Sequence, residues 1–116
     1  MQEAVKLFHE TFNVPELLTE LADMIEVPAE PGVYECRLKK LKKETTRNGK
    51  GCLYYNFKTS NGLTVSGRIF PVTEQDRFLY LAGIDRDLSI PEGRIYTVVS
   101  YISAGGFEEI HVSGWR

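Results

Sequence analysis

Between Lys50 and Val72 the chain carries two runs rich in aromatic and β-branched residues, separated by Ser60, Asn61 and Gly62. That composition favours strands, and that separator favours a tight antiparallel turn. Two registers compete. A two-residue turn on Asn61 and Gly62 sets Phe57 against Ser66 and Tyr55 against Arg68, mixing apolar and polar groups on both faces. A three-residue loop, with a type I turn and Gly62 in the left-handed conformation of a G1 bulge, pairs Phe57 with Val65, Tyr55 with Gly67 and Leu53 with Ile69. Only the second register gives one clean apolar face, because side chains alternate along a strand. Its other face, expected to be exposed, carries Tyr54 across from Arg68, Asn56 across from Ser66, and Lys58 across from Thr64.

The flanking segments place this hairpin within a larger order. Residues 1–12 space Val5, Phe8 and Phe12 as on a helix, and residues 15–25 align Leu17, Leu18, Leu21, Met24 and Ile25 in one stripe after Pro15. Val27 to Gly32 contains two prolines and a glycine and is expected to be a linker. Val33 to Lys43 alternates, with Tyr34, Cys36 and Leu38 inward, and predicts a strand. Lys42 to Gly51 lacks an apolar period and predicts a basic, flexible loop. After Pro71, Thr73 is the expected cap of a short helix whose buried side holds Phe78, Leu79, Leu81 and Ala82, and Gly83 is its natural stop. Arg94 to Ile102 and Phe107 to Val112 predict two more strands, turned at Ser103 to Gly106; Ile110 and Val112 face inward, Phe107, Glu109 and His111 outward.

At 116 residues the chain suits a single core. Residues 1–30 hold seven acids and one base, a net of −6, which leaves +4 for the remaining residues out of a total of −2. Seven of the bases fall between Arg37 and Lys50. Such a split suggests that one part meets a polyanion and another part does something different. No apolar run approaches a membrane span and no signal peptide is evident, so a cytoplasmic protein is expected, with no membrane partner. Its two cysteines, Cys36 and Cys52, fit a reducing compartment.

From residue 31 onward, three strands, a helix and two strands is the order of a five-stranded antiparallel barrel of the oligonucleotide/oligosaccharide-binding (OB) type, with its helix between the third and fourth strands. The expected organisation is therefore an acidic N-terminal helical extension over residues 1–30, with two short helices, and an OB-fold domain over residues 31–116. In such barrels the second and third strands and two of the loops form the ligand surface. Pro31 to Cys36, Thr45 to Lys50, Tyr54 to Phe57 and Gly67 to Phe70 together resemble the small OB-fold single-stranded-DNA-binding proteins of phages and plasmids. The chain departs from the bacterial housekeeping members of that class, which end in an acidic, disordered tail; here the acids lie near the other end.

The resemblance implies a non-catalytic, largely sequence-independent binder of single-stranded DNA, or of RNA, with a role in replication or recombination. Cations that follow phosphates and rings on which bases stack are what such binding needs. Lys42, Lys43, Arg47, Lys50, Lys58 and Arg68 are the expected phosphate contacts. Tyr54 is the expected stacking ring, with Phe70 and Tyr101 as further candidates, and Asn56 and Ser66 are placed to hydrogen-bond bases or sugars. Tyr54 has a plainer alternative, a cation–π pair with Arg68. Trp115 is either a stacking platform or a cap on a barrel end. No cofactor or metal is expected, since His9, His111, Cys36 and Cys52 lack the short paired spacing of a zinc site. The competing function is a protein-interaction module, an inhibitor or adaptor from a mobile element, gripping its partner through Phe8, Phe12, Leu17 and Leu21; the same stripe would equally serve self-association.

Overall fold

The computed structural model describes residues 26–116. The two N-terminal helices, with Phe8, Phe12, Leu17 and Leu21, lie outside the described residues. The longest strand, β2 (Gly32–Thr45), belongs to both halves of the sheet. Its first residues, Gly32 to Cys36, pair with β5 (Tyr96–Ile102), and Cys36 to Thr45 pair with β3 (Gly51–Thr59). β3 continues into β4 (Leu63–Ile69), and β5 into β6 (Glu108–Trp115), each pair antiparallel. A two-residue strand, β1 (Val27–Pro28), adds to β4 in parallel. The result is one six-stranded sheet, ordered β1-β4-β3-β2-β5-β6 and curled into a half-barrel.

Two features of the sheet correct the expectations. Among the described residues there are six strands and not five, because Val27 and Pro28, read as linker, pair with Leu63 and Thr64. A proline is tolerated there because an edge strand need not donate on its outer side, and Ala29 supplies the next bond, its N–H donating to the Thr64 carbonyl at 2.8 Å. β2 also runs on to Thr45, through residues expected in a loop. Lys42 pairs with Tyr54, Lys43 with Leu53 and Glu44 with Cys52. The alternation is hidden in the sequence by a bulge between Leu38 and Lys40, which inserts Lys39 and makes Leu41, not Lys40, the next inward residue.

The hairpin register is the one set by the three-residue loop. Phe57 pairs with Val65, Tyr55 with Gly67 and Leu53 with Ile69. Gly62 has φ +87°, a conformation only glycine adopts cheaply, and its N–H donates to the Thr59 carbonyl at 3.1 Å.

The inner face of the curl is covered by α1 (Val72–Ala82), which lies between β4 and β5 in the chain. Phe78, Leu79 and Ala82 bury against Leu53, Tyr55, Phe57, Tyr96, Val98 and Val112. Phe57 meets Tyr96 and Phe78 edge-on at 5.7 and 6.1 Å between centroids, and Tyr55 stacks on Phe78 at 5.7 Å. Pro71, rather than Thr73, occupies the N-cap, with no side-chain bond, so Thr73 sits in the first turn. Gly83 ends the helix in the left-handed conformation, its N–H directed to the Leu79 and Tyr80 carbonyls. Arg94 reinforces that end by donating to the carbonyls of Ala82 and Gly83 at 3.0 Å, while its guanidinium lies 3.4 Å from the Trp115 ring centre. Trp115, 47% exposed, thus packs on this corner of the fold through Arg94 while keeping about half of its surface open.

Candidate nucleic-acid interface

On the convex side of the sheet three strands align Lys42, Tyr54 and Arg68 in one row. The Lys42 ammonium lies 5.5 Å from the Tyr54 ring centre and the Arg68 guanidinium carbon 5.3 Å from it. Glu44 holds both cations, at 3.8 Å from Lys42 and 3.4 Å from Arg68. The plainer alternative for Tyr54 is therefore present: its ring is flanked by the chain's own cations. Such contacts contribute only about 0.5–1 kcal/mol at an exposed site, so a base could displace one of them.

The rest of this face is less open than expected. Asn56 and Lys58 are buried, at 5% and 6% exposure, and Ser66 is half-buried. Glu26 reaches this face, and the Asn56 amide donates to Glu26 Oε1 and to the Tyr54 hydroxyl, both at 3.1 Å. Lys58 is engaged within the chain. Neither side chain is presented to a phosphate or a base in this arrangement, because a buried lysine keeps its charge only with partners.

Lys43 points the other way. It lies on the inner side, opposite Leu53, and donates to Gln75 Oε1 at 2.9 Å. Buried Gln75 in turn donates to the Ile69 and Phe70 carbonyls at 2.9 Å, tying β2 and the end of β4 to α1. Arg47 and Lys50 remain exposed, in a turn that is hydrogen-bonded and not loose: Thr46 N–H donates to the Lys50 carbonyl and Gly49 N–H to the Thr46 carbonyl, both at 2.9 Å. With Arg37, Lys39, Lys40 and Lys42 they make a continuous exposed basic strip on β2 and its turn.

Where the half-barrel stays unclosed, a cleft of about 730 Å³ opens between the end of β4, α1 and β6. Arg68, Phe70 and Tyr101, candidates from distant parts of the sequence, all line it. Phe107, on the β5–β6 turn and 71% exposed, joins them. Its outward position is legible in the alternation of residues 107–112, but its place in the same cleft as Phe70 needs the curl. Glu108 and Glu109 border the same cleft, as do Glu74 and Arg77, which pair at 3.5 Å. Glu109 faces Tyr101 across the β5–β6 pair, and its carboxylate, ahead of burial, raises the phenol pKa.

Compared with known proteins, the chain matches no family model and no curated protein. Among the described residues no helix is long and apolar enough to cross a membrane, and no three His, Cys, Asp or Glu side chains gather as a metal site. Cys36 faces the core opposite Thr59, whereas Cys52 lies on the convex side opposite Glu44, so the two thiols stand on opposite faces of the sheet.

Proposed function

We propose that the chain is a non-catalytic single-stranded-DNA-binding protein built on an OB-type barrel, with β2 to β6 as the five strands of that barrel. Taken alone, those strands run β4-β3-β2-β5-β6 with the helix between β4 and β5, and OB barrels are themselves partly open. The observation that carries the reading is the position of Arg68. It stands beside Lys42 at the end of the basic strip and also lines the cleft that holds Phe70, Tyr101 and Phe107. A strand of nucleic acid following Lys40, Lys42, Lys50 and Arg68 with its phosphates would bring its bases to these rings, the combination on which sequence-tolerant binding depends.

Titration of fluorescein-labelled oligo-dT, the matching RNA and a duplex at two salt concentrations tests the reading. The expected result is salt-weakened binding of the single strand with little affinity for duplex. Phe107→Ala is expected to weaken it by roughly tenfold, since one base–ring stack is worth about 1–3 kcal/mol. No binding at low salt, or binding indifferent to both Phe107→Ala and Lys42→Ala, would overturn it.

A further inference from the structure

The cleft touches Glu108, Glu109, Ile110, His111 and Val112, an unbroken run of β6. Neighbours along a strand point to opposite faces, so a cleft that meets every one of them runs along the edge of the strand and not over one face. β6 is the last strand of the sheet, with β5 on one side of it. The Ser103 N–H donates to the Phe107 carbonyl at 2.8 Å, which turns the backbone of Phe107 towards β5 and, by alternation, those of Glu109 and His111. Glu108, Ile110 and Val112 therefore direct their N–H and C=O groups into the cleft, where no described strand meets them. Natural sheets guard such edges with proline, lysine, a bulge or a covering element. The opposite edge of this sheet ends in the two-residue β1 with its Pro28. On β6 the bulge falls only after Val112, and residues 108–112 hold neither proline nor lysine. A regular, unguarded edge is a template for another strand.

We propose that this edge pairs with the same edge of a second copy of the chain, antiparallel about a two-fold axis at Ile110, so that two sheets join into one. In that register Ile110 meets the second copy's Ile110, Glu108 meets its Val112, and Glu109 meets its His111. Edge-facing residues placed opposite each other exchange both backbone bonds, so Glu108, Ile110 and Val112 are all satisfied at once. Glu109 and His111 then form a non-hydrogen-bonded pair, the position at which side chains stand closest, and the symmetry makes that pair twice. An imidazole N–H donates to a carboxylate, which makes the pair favourable. Neighbouring registers are poorer. An axis at Glu108 or at Glu109 sets that carboxylate against its own copy, and an axis at His111 sets imidazole against imidazole and carries Glu109 to Ser113, at the bulge. Only the axis at Ile110 uses the whole regular stretch and puts unlike groups together. Glu109 and His111 are both exposed in the single chain and free to make this contact.

A second copy and a bound nucleic acid would meet in the same cleft, so the test uses the full chain alone and its outcome is independent of the single-strand reading. Sedimentation equilibrium between micromolar and millimolar concentration is expected to show a reversible rise from 13.2 kDa to twice that mass, in the weak range that a short strand pair supports. His111→Glu, at an exposed position, replaces both favourable pairs by repulsions and is expected to weaken the dimer about tenfold. Glu109→Lys alone is expected to weaken it likewise, whereas the double variant Glu109→Lys with His111→Glu restores opposite charges across the axis and is expected to return the dimer to within about threefold of the parent. A single-chain mass at every concentration overturns the proposal. So does a dimer unmoved by His111→Glu, which would place self-association on another surface such as the N-terminal stripe. A double variant no better than His111→Glu overturns the register.

Discussion

Gly67→Ala sets two opposing effects against each other, and the structure decides between them. Gly67 lies inside β4 with an ordinary extended φ, so alanine is conformationally allowed there and would stabilise the fold by about 0.4–1 kcal/mol through the unfolded chain. Its new methyl, however, would stand 2.7 Å from the Tyr55 hydroxyl oxygen and 3.1 Å from the ring carbon that bears it. A surface tyrosine would swing aside. Tyr55 is stacked on Phe78 at 5.7 Å and tilted against Phe57 at 5.9 Å, so the ring cannot move without displacing the core. Overpacking of this kind costs about 1–3 kcal/mol, which exceeds the entropic gain. The net expectation is a loss of roughly 1–2 kcal/mol, or about 5–10 °C in Tm for a domain of this size. Thermal and urea unfolding of Gly67→Ala, Tyr55→Phe and the double variant form a cycle. Removing the hydroxyl is expected to recover at least half of the loss. A neutral or stabilising Gly67→Ala, or a double variant no better than the single one, would refute the argument.

Replacing Lys42, Arg47 and Lys50 together by alanine is expected to flatten the slope of log affinity against log salt by about 2, since each phosphate contact on a single strand contributes about 0.7; equilibrium titrations across salt measure it. Gln75→Ala strips the Ile69 and Phe70 carbonyls and the Lys43 ammonium of one shared partner, and a loss of about 1–3 kcal/mol is expected in urea unfolding. Burial pushes the Cys36 thiol up to about 12, from an ordinary 9.0. Below pH 9 the thiol is protonated in both folded and unfolded chains and its contribution to stability is intact; above 9 only the unfolded chain ionises, so stability falls progressively from pH 9 towards 12, in a Cys36→Ala-sensitive manner, as denaturant midpoints across that range would show. The same burial predicts that iodoacetamide labels Cys36 at pH 8 only after unfolding.

The hairpin register was legible because turn chemistry and alternation constrain the same offset: Gly62 satisfies the loop, and this offset sets Leu53, Tyr55 and Phe57 against Ile69, Gly67 and Val65 rather than against polar residues. The stop at Gly83 and the inward Val112 follow from equally local rules. What local rules missed was set by contacts distant in sequence. Lys43 looks like a member of a basic loop until the Lys39 bulge turns it towards Gln75, thirty-two residues on. Leu38 and Leu41, three apart within one strand, were the available sign of that bulge. Asn56 and Lys58 have the alternation of exposed residues, and only the path of the chain at Glu26 shows that this face is covered. Phe70, Tyr101 and Phe107 line one cleft because the sheet curls, a property of six strands together that no window of sequence contains.

The Lys39 bulge has one more consequence, for how this chain can change over evolution. Strand side chains are read two by two, and Lys39 is the extra residue that β2 carries against β3. Losing Lys39 would straighten the strand and leave its pairings intact: Leu38 would stay opposite Phe57, Lys40 opposite Asn56 and Leu41 opposite Tyr55, with the same side chains inward. A residue gained or lost within an unbulged stretch such as β3 would instead turn every side chain beyond it to the other face. Length variation in descendants of this sequence should therefore be tolerated at position 39 and in the turns at residues 46–50 and 103–107, and stay out of the regularly paired stretches.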